Sequence, residues 1–462
     1  MLVEELAFAD PVQVFAPLAQ QPWSMLFDSS RIDQVSGRFA YICADPFLTL
    51  TYRDGELCRN GKPQPGDPLD CLEKLLQQHV RPAHADLPPF QGGAAGFFGY
   101  ELGGLLERLP PPRPGDMPGD LDVPDMAVGF YDAVLAFDLI ARRCWLIRHE
   151  DMDGGADARA DALRACMRPR PCVTENLPAP PAWTVNFTRA DYQRAVEKVI
   201  GYILAGDIFQ ANIAMRFRVT LPEKFSRFGF YRRLRELNPA PFAAFLEMGT
   251  YAVASSSPEM FLRLANGKLE TSPIKGTRPR GQTPELDTEL AYVLINSEKD
   301  RAENIMIVDL LRNDLSRVCD DGSVDVPRLC ELESFATVHH LVSTVTGKLR
   351  QGLGAVDVLR AAFPGGSITG APKIRAMQII AEIEPHRRGP YCGAIGYVGF
   401  DGAMDMNIAI RTVVLGAHNA VFHAGGGVVV DSNPSAEYAE CYDKARALLA
   451  AFAIEPACGE PG

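Results

Sequence analysis

Late in this 462-residue chain, three apolar segments follow one another with only short turns between them. They are GPYCGAIGYVGF (389–400), DMNIAIRTVVL (405–415) and AVFHAGGGVVV (420–430). Turns this short join antiparallel strands, since parallel neighbours need a long crossover. A closing helix is expected over 434–452, with Pro434 in its first turn. The same mixture recurs upstream. TYAVASSSPEMFLRL from Thr250 reads as strand, turn, strand, and LETSPIKGTRPRG from Leu269 as a strand running into a basic turn. Thr188 is a helix N-cap, followed by Tyr192, Val196, Val199 and Ile203 at helical spacing. Gly206 and Asp207 stop that helix, and 209–219 alternates as a strand. The stretch from Asp287 is a long helix with room for one break, and 371–385 is a helix ended by Pro385. Antiparallel strands with interspersed helices predict an α+β fold rather than a doubly wound parallel sheet. No internal repeat and no glycine-rich dinucleotide fingerprint is present.

The first 148 residues hold short apolar runs broken by Gly and Pro. FAYICADPF from Phe39 and YDAVLAFDL from Tyr131 read as strands, with a Pro-rich loop from Leu109 between them. A short acidic helix and a Pro-rich connector place a boundary near residue 180. The N-terminal region is therefore 1–180 and the remainder 181–462. A net charge of -12 opposes non-specific nucleic-acid binding. No run of eighteen apolar residues predicts a membrane span, and the N-terminus does not have the pattern of a secretion signal. A cytoplasmic protein is expected. Eleven cysteines without a CxxC pair read as reduced core residues.

Two carboxylate pairs carry chemical interest. Asp300 and Glu303 share one helix face, and Glu437 and Glu440 repeat the spacing on the last helix. Like-charged pairs are unfavourable unless a cation or water compensates them. If the helices meet, the four side chains build a magnesium site; otherwise they are solvated faces. Lys275 in PIKGTRPRG is a nucleophile if it lies in an apolar pocket, and an ordinary turn lysine if not. Glu259, after SSSP, is a general acid if burial raises its pKa. Arg411 suits a bidentate carboxylate contact, and the glycines of AGGGVVV and FPGGSITGAPK offer free N–H groups or are simply flexible turns. His340 is a site residue or a satisfied core histidine. Together these residues fit a magnesium-assisted site for a small dianion.

The motifs GDIFQAN, SSSPEMF, SPIKGTRPRG, KDRAENIMIVDLLRNDLSRV, VHHLVSTVTG, FPGGSITGAPKIRAMQII, GAIGYVGF, MNIAIRT and GGGVVVDSNPSAEYAE occur in that order. They resemble the chorismate-utilising family, which includes anthranilate, aminodeoxychorismate, isochorismate and salicylate synthases. The match runs from about Thr188 to Phe452, and more weakly through GRFAYICADP and GGAAGFFGYELGGLLERLP in the N-terminal region. The resemblance implies an anthranilate synthase component I-like fold, with large antiparallel β-sheets packed in layers and flanking helices. It also implies an N-terminal region interleaved with a chorismate-binding catalytic domain.

By the same resemblance, Glu303 and Glu440 are direct Mg²⁺ ligands, while Asp300 and Glu437 contact the ion through water. Arg411, Tyr397 and the backbone of Gly425, Gly426 and Gly427 contact the substrate carboxylates, Thr369 and Lys444 also bind substrate, and His340 is a catalytic residue of the same pocket. Glu259 is the acid for the departing 4-hydroxyl. Lys275 discriminates within the family: anthranilate synthases usually read PIAGTRPRG, and a lysine here is similar to the nucleophile of aminodeoxychorismate synthases. Gln210 stands where isochorismate and salicylate synthases carry a water-activating lysine, so hydroxylation is disfavoured. The implied reaction is amination of chorismate at C4, for 4-aminobenzoate and folate synthesis, with anthranilate formation as the alternative. A partner glutamine amidotransferase subunit would deliver ammonia. LFDSSRID, with Ser29, occupies the place of a tryptophan pocket in relatives. It departs from the anthranilate-type LLES pattern, so tryptophan binding stays open and feedback inhibition is not expected.

Overall fold

The computed structural model describes residues 1–32, 37–107, 109, 121–150, 152–169, 177–334 and 338–454. Among these, two twelve-stranded sheets form the framework, and all strand pairings within them are antiparallel. One sheet runs from Leu2–Leu6 through Arg143–Arg148, Ala133–Asp138, Phe39–Cys43 and Ser24–Asp28. It continues through Phe242–Glu247, Ala252–Ser257, Thr412–Leu415, Asn419–Val428 and Gln210–Thr220 to Ala182–Val185. The other starts at Ile274–Pro279 and passes through Val338–Lys348, Lys268–Ser272, Met260–Ala265, Met404–Ile408, Ala394–Gly399 and Gly93–Phe98. Strands from both sides of residue 180 thus share each sheet; Ser24–Asp28 pairs directly with Phe242–Glu247.

Two expectations change. The segment 405–415 is not one strand: Met404–Ile408 belongs to one sheet and Thr412–Leu415 to the other. The chain crosses between sheets at Arg411, which holds the left-handed φ of 50°. The basic turn at 274–279 is instead a strand, Ile274–Pro279, paired with Val338–Lys348. Its register shifts between Lys275 and Thr277, where Gly276 has φ +73°. A Cβ at Gly276 would meet Asp300 and Leu294 at 3.0 Å, so this bulge accepts only glycine without strain.

The helix from Asp287 does break once, into Pro284–Ile295 and Glu298–Ser316, with Ser297 capping the second through Asp300 N–H. Thr188 caps Arg189–Leu204 by accepting from Asp191 N–H, and Asn433 caps Pro434–Ala451. Buried side chains form two clusters: a large one under the helices, and a smaller aromatic one between the sheets around Tyr41, Phe90, Phe97 and Tyr397. Among the described residues, no helix is long and apolar enough to cross a membrane.

Candidate active site

Strand Asn419–Val428 lies against Gln210–Thr220, pairing Gly425 with Ala214, Gly426 with Ile213 and Gly427 with Asn212. These glycines make the floor of a basin. A Cβ on Gly426 would stand 3.1 Å from Glu437 Oε2 and 3.3 Å from Glu440 Oε1. One on Gly427 would stand 1.9 Å from Gln210 Nε2 and 3.2 Å from Glu303 Oε1. Helices Glu298–Ser316 and Pro434–Ala451 therefore bring three of the four expected carboxylates to two adjacent residues that lack side chains. Asp300 instead accepts from Arg278 at 2.9 Å.

Lysines share the basin. Lys275 Nζ donates to Glu303 Oε1 at 2.9 Å and to the carbonyl of Ser367 at 3.2 Å. Gln210 Nε2 reaches the same Glu303 oxygen at 3.0 Å. Burial pushes the Glu303 carboxyl up, but Lys275 and Gln210 outweigh it and hold the group below its ordinary value. Lys444 Nζ binds Gly425 O at 2.8 Å and Glu440 Oε1 at 2.7 Å. Glu437, buried beside Glu440, is pushed up by burial first, with its hydrogen bond from Ser432 opposing and Glu440 reinforcing.

An all-carboxylate donor set split over two helices fits a hard, oxygen-preferring divalent cation. Among the described residues, no three His, Cys, Asp or Glu side chains close on one point as they stand, because Glu303 and Glu440 turn to Lys275 and Lys444. The cradle that a Cβ would fill at Gly426 and Gly427 is where their oxygens converge.

Glu259, in the turn after Ala252–Ser257, is only 6% exposed and accepts from Ser367 Oγ at 2.7 Å. Burial raises its pKa, while Ser367 and Lys275 act the other way. His340 and Thr277 share a 2.9 Å hydrogen bond, and burial, then Arg411, drives the imidazole down to about 4. The Arg411 guanidinium, held by Asn238 Oδ1 at 2.7 Å, is itself depressed by burial. Thr369 is fully buried, and its hydroxyl turns back to Gly365 O at 3.0 Å.

Tyr397 is elsewhere, and its expected place beside the substrate carboxylates is corrected. It stacks on Phe90 at 4.4 Å and lines a cavity of about 240 Å³ between the sheets, together with Ser29, Asp28, Phe27, Tyr41 and Arg263. Ser29 Oγ donates to Phe39 O at 2.8 Å, and Asp28 Oδ1 is buried without a partner. Sequence reading passed over Ser367, Thr277 and Asn238. Ser367 stood inside FPGGSITGAPK, noted only for its glycines.

Residues 27–450 match the family of chorismate binding enzymes. The chain is 44% identical over 443 residues to aminodeoxychorismate synthase component 1 of Klebsiella aerogenes, covering 94% of this chain and 95% of that relative. It is 40% identical over 451 residues to anthranilate synthase component 1 of Thermus thermophilus, covering 97% and 96%. Anthranilate synthase component I from Streptococcus pneumoniae superposes with a TM-score of 0.80 at 34% identity, over 90% of this chain and 93% of that one.

Proposed function

The chain belongs to the chorismate binding enzymes, and from that premise we propose that it aminates chorismate at C4, as component 1 of an aminodeoxychorismate synthase. The observation that carries this reading is Lys275, which lies in the carboxylate basin on Glu303 and on the Ser367 that also holds Glu259.

As a free amine, Lys275 adds at C2. The ring π electrons move toward C4, the C4–O bond breaks, and Glu259 protonates the departing oxygen, which leaves as water. Ammonia then adds at C4, the electrons return, and the C2–N bond to Lys275 breaks. The proton lost by the incoming nitrogen restores Glu259. Net, an amino group replaces a hydroxyl, and the enolpyruvyl group stays. Arg411, His340, Thr369, Lys444 and the backbone of Gly425–Gly427 hold the substrate carboxylates. Gln210 offers no base at neutral pH, so water is not activated at C2. Magnesium, held by Glu303 and Glu440 with Glu437 beside them, would neutralise the ring carboxylate.

Ammonia comes from a partner glutamine amidotransferase subunit in the cytoplasm, and free ammonium substitutes at high concentration. The product feeds 4-aminobenzoate and folate synthesis. The cavity between the sheets takes tryptophan: its walls are aromatic, and the unpartnered Asp28 Oδ1 is an acceptor for an ammonium group. Anthranilate synthesis is the second reading, favoured by the 40% identity to the Thermus protein.

The test is product identity. Purified chain with chorismate, Mg²⁺ and ammonium at high pH is expected to give 4-amino-4-deoxychorismate without pyruvate. Anthranilate with pyruvate would overturn the C4 assignment.

A further inference from the structure

Ser367 belongs to a short 3₁₀ turn, Gly366–Ile368, wedged between the two halves of the chemistry. Both preceding glycines pack closely against neighbouring side chains. A Cβ on Gly365 would lie 2.6 Å from Ile408 Cδ1, and one on Gly366 2.5 Å from Leu310 Cδ2. Thr369 closes the turn by donating to Gly365 O and Gly366 O. The turn is therefore clamped between the strand of Ile408 and the helix that carries Glu303.

From this closely packed turn Ser367 makes two contacts, one through its side chain and one through its main chain. Its hydroxyl donates to Glu259 Oε1 at 2.7 Å, and its carbonyl accepts from Lys275 Nζ at 3.2 Å. Glu259 sits in the turn between Ala252–Ser257 and Met260–Ala265, Lys275 lies on strand Ile274–Pro279, and this one residue bonds both.

We infer that Ser367 is a positioning residue that sets the acid Glu259 and the nucleophile Lys275 in a fixed register across the substrate, its side chain orienting one and its main chain the other. This rests on the proposed roles of Glu259 and Lys275. Near-attack geometry is what such a residue supplies; misplacing a reacting group by about 1 Å costs on the order of 10²-fold in rate.

The hydroxyl also has an electrical effect. A donor stabilises the carboxylate form, so its loss raises the pKa of Glu259. Besides Ser367, the groups that act on this carboxyl are Lys275, Lys444 on the last helix and the Ile274 backbone, and the carboxylate in turn raises the Cys392 thiol. None of them changes in a Ser367 variant, so a shift reports the hydroxyl.

The experiment uses the full chain and reads two quantities. One is the infrared band of the protonated Glu259 carboxyl, identified by its absence in Glu259→Gln, followed against pH. The other is kcat with chorismate, Mg²⁺ and ammonium. Ser367→Ala is expected to move the titration of that band to higher pH and to lower kcat by about tenfold or more. Ser367→Thr, which keeps the hydroxyl, restores both. Ser367→Cys, a weaker donor, falls between and serves if the alanine variant does not fold. A band that titrates unchanged in Ser367→Ala overturns the inference, as does a threonine variant no better than alanine. A Glu259→Gln enzyme within tenfold of wild type would instead overturn the acid role on which the inference stands.

Discussion

The basin and the cavity share the same two sheets but solve opposite problems. The basin around Gly426 and Gly427 gathers Glu303, Glu437, Glu440, Lys275 and Lys444 where side chains have been removed from the floor. The cavity around Tyr397 is walled by aromatic rings and by few polar groups, of which Ser29 is bonded to Phe39 and Pro241 while Asp28 Oδ1 is left without a partner. In the first, unbalanced charge is concentrated where a dianion is to react. In the second, packing dominates. Substitutions in the basin should therefore cost turnover more than stability, and those around the cavity stability more than turnover.

The largest contrast is expected from Glu259→Gln. Loss of a general acid lowers kcat by about 10²–10⁴-fold, with little change in the urea midpoint. A variant that unfolds easily but turns over normally would erase the distinction. Phe90→Ala is the counterpart. Phe90 is fully buried and stacked on Tyr397, and its truncation is expected to cost about 3–5 kcal/mol. Turnover per folded molecule should stay near wild type, which denaturant titration and active-site counting together would check.

Acid sharpens the same comparison. His340 in the fold resists protonation down to about 4, while an unfolded histidine takes its proton near 6.5. The unfolded state binds more protons in that window, so stability falls as pH drops from about 6.5 to 4. His340→Gln should flatten that part of the stability curve; an unchanged slope would remove His340 as its source. The smallest effect is expected from Ser29→Ala, about 1 kcal/mol of stability for a lost hydrogen bond. Under the proposed tryptophan binding, it should also shrink the rise in melting temperature measured on adding tryptophan.

What the sequence made legible follows the same division. Lys275, Glu303 and Glu440 were readable because each sits in a contiguous motif, and the helix faces of the two glutamates follow from spacing alone. The basin floor was readable as a glycine cluster. Tyr397 was misplaced because GAIGYVGF fixes a strand but not which layer the tyrosine enters; that depends on Phe90, from a remote loop, and Tyr41, from a remote strand. Ser367 and Asn238 were missed for the same reason, since their partners Glu259 and Arg411 are 108 and 173 positions away. The split of 405–415 between two sheets was hidden too, because its cause is one left-handed residue, Arg411, where nothing but a non-glycine stands.

The central claim is that Lys275 bonds to substrate. The measurement is mass spectrometry of the full chain after chorismate and Mg²⁺ are added without ammonia, followed by peptide mapping. The expected result is a species of protein plus one chorismate minus one water, on the Lys275 peptide, discharged by ammonium and absent in Lys275→Ala. An adduct-free wild-type enzyme that still makes aminodeoxychorismate when ammonium is supplied would contradict it.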